Sequence, residues 1–202
     1  MKKPDALIKS RARVKERGEV FTPAWMVEEM LDLVTESAAS ITARFLEPAC
    51  GNGNFLAGIL ARKLATVHAL DHANQSGFEF STLLALTSIY AIDIAADNVA
   101  ESRARLRTII EIHATTSPHP APTPGFLEAV DFVLERNLIV GDFLNSASIR
   151  FTEFTESAKH ELFQRVFRLD DISGGQASPI IEIESTKYWM LAGTCATEKE
   201  GV

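Results

Sequence analysis

The stretch that decides the fold of this chain is residues 45–56, which read Phe-Leu-Glu-Pro-Ala-Cys-Gly-Asn-Gly-Asn-Phe-Leu. An apolar pair leads into an acid-proline-small tripeptide, then a Gly-x-Gly turn, then the apolar start of a helix. Glycines adopt backbone angles that a Cβ forbids, and they let a ligand approach the main chain closely. The pattern predicts a strand that passes to a helix through a tight, ligand-binding loop. The Gly-x-Gly turn alone is a weaker signal, because many such turns bind nothing.

Strand and helix patterns alternate on both sides of this loop. Strands are predicted at 44–47, 89–94 and 137–142, and helices at 54–67, 78–86, 96–112 and 126–135. This alternation is typical of an α/β fold with a mostly parallel sheet and helices on both faces. Ligands bind such sheets at the carboxyl ends of the strands, so Glu47, Asp93 and Asp142 are expected on one rim.

Two helices are predicted before the first strand. The first, at 6–17, is basic and ends at Gly18, which suits a C-cap. The second, at 24–37, follows Thr22 as the N-cap and Pro23 as the first helical residue. Its apolar side chains recur at helical spacing and are expected on one buried face: Met26, Val27, Met30, Leu31 and Val34.

The 202 residues suit one core-forming domain. We expect a basic N-terminal helix or arm at 1–17, a cofactor-binding domain at 18–191 and a flexible tail at 192–202. Residues 117–125 carry four prolines and are predicted to form a loop within this domain. After residue 143 only one further strand, at 180–183, is predicted.

Composition excludes several classes of protein. No segment approaches 18 consecutive apolar residues, so no membrane contact is expected. The only cysteines, Cys50 and Cys195, make neither a disulfide framework nor a metal site, which fits a reducing cytoplasm. The net charge of -7 argues against a stand-alone nucleic-acid binder. Residues 1–17 nevertheless hold seven Lys and Arg side chains against two acids, and both a phosphate-binding arm and a solvated helix face remain open.

The loop at 45–56 resembles motif I, the S-adenosylmethionine-binding loop, of DNA amino-methyltransferases. Residues 18–23 resemble motif X, Asp93 the motif II acid, and Asp142 with Phe143 motif III, in the order of the gamma class. The resemblance covers about 18–144 and implies a Rossmann-like S-adenosylmethionine-dependent methyltransferase fold. Residues 163–170 also resemble the short methylase (M) subunits of restriction-modification systems. The resemblance implies DNA as the target, at an adenine or cytosine amine, with adenine favoured.

The resemblance implies a site for S-adenosylmethionine. Glu47 would bind the methionine amino group, the backbone at 49–53 would curve round the cofactor, and Phe55 would pack beneath the loop. Residues 18–23 would close over the methionine end, where Thr22 and the helix amides suit a carboxylate. The implied cofactor-binding residues of these segments are Phe21, Thr22, Pro23, Glu47, Pro48, Ala49, Cys50, Gly51, Asn52, Gly53 and Phe55.

The remaining cofactor contacts follow the second and third strands. Asp93, with Ile94 beside it, offers two acceptor oxygens to ribose hydroxyls. By resemblance, Asp142 would take the adenine amine and Phe143 would cover a face of the ring. Plainer alternatives stay open: a helix-capping acid at Asp93, an Asx-type turn at Asp142, and at Cys50 a small buried residue rather than a nucleophile. No metal site is expected.

One element of an amino-methyltransferase is missing. These enzymes use a polar residue followed by Pro-Pro-aromatic (motif IV) to hold the target amine and stack on the flipped base. The sequence contains no Pro-Pro pair, and residues 180–188 offer a strand and an aromatic ring only. The catalytic residues are therefore unknown, and whether the chain alone is an enzyme stays uncertain.

We expect a partner protein to supply motif IV and target recognition, with DNA bound through that complex. The first alternative is a catalytically inactive methyltransferase-fold module that binds cofactor, DNA or protein for regulation. The second is a complete methyltransferase that acts on a small molecule or RNA, which the motif X arrangement disfavours.

Overall fold

The computed structural model describes residues 7–115, 122–173 and 178–193. The α-helices in these ranges are α1 Arg11–Arg17, α2 Ala24–Asp32, α3 Thr35–Ala39, α4 Asn54–Ala69, α5 Gln75–Thr87, α6 Ala96–Thr115, α7 Phe126–Asn137 and α8 Leu169–Ser173. The strands are β1 Phe45–Glu47, β2 Ile89–Asp93, β3 Leu138–Val140, β4 Arg150–Ala158, β5 Glu161–Arg168 and β6 Ile181–Lys187. Two 3-10 helices cover Phe143–Ser148 and Tyr188–Gly193.

Strands β1, β2 and β3 pair in parallel, in that order, with Leu46 opposite Tyr90 and Ile92 opposite Ile139. Helices α4 and α5 connect β1 to β2, and α6 and α7 connect β2 to β3. Such crossovers are required because successive parallel strands begin at the same end of the sheet. The prediction of a mixed α/β fold with a parallel sheet and helices is confirmed at this level, and the three strands end at one rim.

The sheet prediction needs one correction. Strands β4, β5 and β6 form a separate antiparallel sheet. Only one strand, at 180–183, was predicted in this part of the chain. The turn between β4 and β5 includes Lys159 and His160, and His160 has a φ of 62°. Hairpin turns with positive φ usually carry Gly or Asn, so the sequence lacks the usual signal for this hairpin.

The two faces of the parallel sheet are covered differently. One face joins the main core, which the helices fill, through Phe45, Ile89, Ala91 and Leu138. The other face packs Tyr90, Ile92 and Ile139 against Ile149, Phe151 and Leu169 around β4 and α8. A second layer of helices was expected on this face, and the antiparallel sheet takes much of its place.

The helix predicted at 24–37 is broken into α2 and α3. Val34 leaves the helical region with φ -128° and ψ 36°, and the Thr35 hydroxyl donates to the Asp32 carbonyl at 2.8 Å. Only Val27 and Leu31 of the predicted buried face are buried. The remaining members, Met26, Met30 and Val34, are exposed, which corrects that prediction.

Helix α1 is capped at both ends. Ser10 accepts a hydrogen bond from the Arg13 amide, and Gly18, with a φ of 65°, confirms the predicted C-cap. The start of the basic arm, most of the proline-rich loop, Cys195 and most of the predicted tail lie outside the described residues. No helix in the described ranges is both long enough and apolar enough to cross a lipid bilayer.

Candidate functional site

A cleft of about 430 Å³ opens where the three parallel strands end. This volume lies within the range of about 300–1,000 Å³ that is usual for small-molecule sites. Four segments of the chain line the cleft: Gly18, Glu19 and Val20; Pro48, Ala49 and Gly51; Asp93, Ile94 and Asn98; and Gly141, Asp142, Phe143 and Leu144.

The structure brings part of the predicted set together at this cleft. Its lining residues include Pro48, Ala49, Gly51, Asp93, Ile94, Asp142 and Phe143. The other members of the set do not line it: Phe21, Thr22, Pro23, Glu47, Cys50, Asn52, Gly53 and Phe55. Gly18, Glu19 and Val20 also line it; they were not in the predicted residue set, although residues 18–23 were expected to close over the cofactor. Sequence reasoning missed Asn98, Gly141 and Leu144.

The glycine loop, residues 48–53, depends on two positive φ angles. Gly51 has φ 53° and Gly53 has φ 81°. A Cβ at Gly51 would lie 3.0 Å from the Phe21 ring, and a Cβ at Gly53 would lie 2.8 Å from Ser102 Oγ. The Cys50 amide donates to the Ile92 carbonyl at 2.9 Å, which anchors the loop to β2. Both glycines are therefore required by conformation and by close packing.

Asp93 is largely occupied within the protein. Its side chain is 8% exposed. Oδ2 accepts from the Gly51 amide at 2.8 Å, and Oδ1 accepts from the Ala95 amide at 2.8 Å and from Asn98 Nδ2 at 3.2 Å. A carboxylate has roughly four acceptor positions, so about one remains for a ligand. Asp93 can therefore act as a capping acid and still accept one hydrogen bond from a ligand. Binding two ribose hydroxyls at once would require Asp93 to give up one of its present hydrogen bonds.

Glu47 ends β1 and is half-buried. Burial raises the pKa of Glu47, and a hydrogen bond from the Ala49 amide at 3.3 Å partly offsets this effect. The carboxylate is absent from the lining of the cleft, so an ammonium group bound there would reach Glu47 only through a water or a loop movement.

Cys50 has the environment of an inert thiol. It is buried, and burial raises its pKa to about 12 despite the neighbouring Ser102 hydroxyl at 3.9 Å. Since the thiolate is the nucleophilic form, this favours the small buried residue over a nucleophile.

Residues 18–23, called the strap, cross from α1 to α2 over the glycine loop. Phe21 is buried, and its amide donates to the Leu7 carbonyl at 2.8 Å. Asn54 Nδ2 donates to the Thr22 carbonyl at 2.8 Å. Pro23, not Thr22, is the N-cap of α2, and it makes no side-chain cap, so the capping prediction for this helix is wrong.

Glu19 belongs to the strap but was not among the predicted cofactor-binding residues. Its side chain is 9% exposed, and Oε2 accepts from Arg13 Nη2 at 2.6 Å and from Asn98 Nδ2 at 3.0 Å. Oε1 is buried and has no hydrogen-bond partner among the described residues. Burial acts to raise the pKa of Glu19, but the hydrogen bonds from Arg13 and Asn98 outweigh it and lower that pKa.

The basic arm is tied to α6 in this structure. Lys9 Nζ lies 3.0 Å from Asp97 and 2.8 Å from Glu101, and Arg13 Nη1 lies 2.5 Å from Asp97. Hydrogen bonds from Arg13 and Lys9 hold the pKa of Asp97 well below its usual range. These two cations are therefore engaged with the protein's own acids rather than presented to phosphates.

Asp142 and Phe143 form the wall that follows β3. Asp142 Oδ1 accepts from the Leu144 amide at 3.0 Å, which is an Asx-type contact and matches the plainer alternative. The other carboxylate oxygen remains available to a ligand. Phe143 is exposed beside it, and the Gly141 amide donates to the Asp93 carbonyl at 3.0 Å.

The charge of the lining favours one class of ligand. Glu19, Asp93 and Asp142 line the cleft, whereas no Lys or Arg does so among the described residues. Phosphate-rich ligands are bound by cations and donors, so this lining disfavours a dinucleotide. It suits a ligand that carries positive charge, hydroxyls and amines.

A second cavity of about 430 Å³ lies between the two sheets. Its walls include Tyr90, Phe151 and Phe167, together with Arg44, Glu153 and Arg165. The glycine loop and the strand ends after β2 and β3 do not contribute to it, so it is separate from the cleft.

The chain matches no protein-family model, no curated protein and no solved structure. Within the described residues, no group of three or more His, Cys, Asp or Glu side chains could hold a metal ion.

Proposed function

We propose that this chain is the S-adenosylmethionine-binding subunit of a DNA amino-methyltransferase, adenine-specific, from a restriction-modification or defence system. The parallel sheet and its helices would form the Rossmann-like methyltransferase unit, and the cleft would hold the cofactor. The observation that carries the proposal is the cleft lined by the glycine loop, Asp93, Asp142 and Phe143, with no Lys or Arg among the described residues that line it.

The chemistry of the cofactor fits this lining. S-adenosylmethionine carries a sulfonium, an ammonium, a carboxylate, two ribose hydroxyls and an adenine amine. Most of these polar groups are cations or donors, and they suit the acceptor positions that Asp93 and Asp142 leave open. Phe143 and Leu144 are exposed at the wall and offer apolar surface to the adenine ring. Glu19 lines the same cleft, and its buried Oε1, which has no hydrogen-bond partner among the described residues, is an acceptor that a ligand or a water would satisfy.

The proposal assigns target recognition to a partner. The sequence has no Pro-Pro pair, and the net charge of -7 is unsuited to gripping DNA alone. Strand β1, which leads into the glycine loop, lies at an edge of the described parallel sheet. A strand added there in parallel would end at the same rim and could bring the base-binding motif beside the cofactor.

The first experiment is calorimetric titration of the purified chain with S-adenosylmethionine. We expect saturable binding that weakens about tenfold in Asp142→Asn, because the new amide would face the adenine amine donor to donor. This variant retains an acceptor for the Leu144 amide, so the turn should survive. Asp71→Asn, which removes an exposed acid outside the cleft, should bind like the parent.

The binding of the cofactor and the need for a partner protein can be disproved separately. Absence of binding by a folded chain would overturn the cofactor assignment. Transfer of labelled methyl groups to DNA by the chain alone, at a rate typical of such enzymes, would overturn the need for a partner while leaving the cofactor site intact.

A regulatory module is the second candidate function. Asp93 accepts hydrogen bonds from Gly51, Ala95 and Asn98. This candidate is favoured because these bonds give Asp93 a structural role in place of a ligand-binding one. If Asp142→Asn abolished cofactor binding yet left the biological role intact, this candidate would replace the enzyme subunit.

A further inference from the structure

Helix α2 exposes an unusual amount of apolar surface. Trp25 is 60% exposed, Met30 47% and Leu33 85%, and Met26 is exposed as well. Val27 and Leu31 of the same helix are buried against α4, where a Cβ at Gly58 would lie 2.9 Å from each of them. The helix is therefore anchored firmly while much of its apolar side remains open.

Helical geometry places the exposed side chains together. At about 100° per residue, Met26, Met30 and Leu33 fall within an arc of roughly 60°. Leu33 follows the last residue of α2 but keeps helical angles, with φ -69° and ψ -20°. These three residues are called the α2 stripe. They adjoin the buried pair Val27 and Leu31, so α2 has one continuous apolar face, of which α4 covers only part.

The surroundings of the stripe are acidic. Residues 20–43 contain Glu28, Glu29, Asp32 and Glu36 but no Lys, Arg or His. Arg62 of α4 pairs with Glu28 at 2.8 Å and with Asp32 at 2.6 Å. Glu29 and Glu36 are exposed, so the border of the stripe is negative.

We infer that the α2 stripe is a docking surface for an amphipathic helix of a partner protein whose apolar face is bordered by Lys or Arg. Exposed Met and Trp side chains are typical of surfaces that accept such helices, because Met adapts to the incoming side chains and Trp contributes a large contact area. The inference is independent of the cofactor proposal, since nothing in it requires the cleft to bind a ligand.

The acidic border argues against other occupants. A second copy of this chain, docked stripe to stripe about a two-fold axis, would place the negative border at Glu29 of one copy against the same border of the other. DNA and anionic lipid would meet the same negative border. A basic helix alone satisfies both the apolar stripe and its charge.

The probe for this inference is a synthetic 18-residue helix with Leu at positions i, i+3, i+4 and i+7 and Lys at its borders. The chain has two tryptophans, so Trp189→Phe leaves Trp25, which precedes Met26 of the stripe, as the only tryptophan. Saturable binding with a blue shift of the Trp25 emission is expected. A second probe with Glu in place of Lys should bind much more weakly.

A matched pair of variants separates docking from simple charge attraction. Met30→Glu and Met190→Glu each replace an exposed methionine and add one negative charge. Charge attraction alone would make both variants bind the basic probe more tightly. Docking predicts that Met30→Glu binds about tenfold more weakly, the loss expected for one central interface side chain, whereas Met190→Glu does not.

Several results would overturn the inference. They are absence of probe binding by a chain whose circular dichroism shows native folding, equal effects of the two Met→Glu variants, and equal binding of the acidic probe. Self-association of the free chain that Met30→Glu abolishes, seen by analytical ultracentrifugation, would assign the stripe to a second copy instead.

Discussion

The backbone amide of Gly51 donates a 2.8 Å hydrogen bond to Oδ2 of Asp93. This contact joins the glycine loop to the end of β2, and the other oxygen of Asp93 holds the start of the following segment through Ala95. The acid therefore shapes the cleft before any ligand enters it.

Replacing Asp93 by Asn should destabilise the fold. One oxygen becomes an NH₂ group, so either the Gly51 amide or the Ala95 amide loses its acceptor. Loss of a hydrogen bond to a buried charged group costs about 2 kcal/mol. Urea unfolding should show this loss with an unchanged m-value. For the control Asp142→Asn, the free energy of unfolding should fall by less than about 0.5 kcal/mol, because the side chain of Asp142 is exposed. Equal stability of the two variants would contradict the structural role of Asp93.

Gly53→Ala should cost more than Gly18→Ala. Both glycines have positive φ, 81° and 65°, so each substitution carries a backbone penalty of about 1 kcal/mol. A Cβ at Gly18 meets nothing within 4 Å, whereas at Gly53 it would lie 2.8 Å from Ser102 Oγ. The clash should add about 1–2 kcal/mol at Gly53. Comparison of the two urea midpoints isolates the clash, and identical midpoints would count against close packing of the loop on α6.

Arg13→Ala should lower the urea midpoint more than Lys9→Ala does. Arg13 is the cation that neutralises the buried Glu19, whereas Lys9 pairs with the exposed acids Asp97 and Glu101. Removing the partner of a buried charge is costly, and removing one member of a surface pair is not. Adding Glu19→Gln to Arg13→Ala should restore part of the loss, because the buried group is then neutral. A larger effect of Lys9→Ala would show that the strap is held by the surface pairs.

Stability should depend on pH through His113. Burial lowers the pKa of His113 to about 4, and the neighbouring His68 and His72 act in the same direction. The unfolded chain, with a His pKa of about 6.5, then binds a proton that the folded chain rejects. The free energy of unfolding therefore rises with pH between about 4 and 6.5, and the contribution of this group is lost as the pH falls through 4.

His113→Phe provides the control for this pH dependence. The new ring can keep the stack on Phe78, where the ring centroids are 4.8 Å apart, but it cannot titrate. Urea unfolding at pH 5 and pH 7 should show a smaller difference in the variant than in the parent. The same difference in both proteins would assign the pH dependence to other groups.

Local patterns predicted most of the parallel unit. The bounds of β1 and α4 follow from the apolar pair, the glycine turn and the helical spacing around them, and β2 and α6 follow in the same way. The hairpin of β4 and β5 escaped prediction because His160 occupies a turn position that usually carries Gly or Asn. The break between α2 and α3 escaped it because the apolar spacing continues through Val34 without a Pro or Gly.

Site residues that belong to a continuous motif were predicted from the sequence. Site residues that are brought together by long-range contacts were not. The Gly-x-Gly turn indicates its backbone geometry through its own residues, so Gly51 was predicted from the sequence. Glu19 lies in the segment 18–23, which was expected to close over the cofactor without Glu19 being singled out, and Asn98 lies inside a helix. Nothing local distinguishes them, because their importance comes from the hydrogen bond that joins them at 3.0 Å across 79 residues of chain.

The sequence by itself determined the strand-to-helix loop and the parallel α/β unit, because glycine conformation and the spacing of apolar residues act over a few neighbouring positions. Only the tertiary structure decided which acids line the cleft, how Asp93 is shared among Gly51, Ala95 and Asn98, and which half of the apolar face of α2 stays open. These features depend on the packing of distant segments, since burial of a side chain is settled by what covers it and not by its own identity.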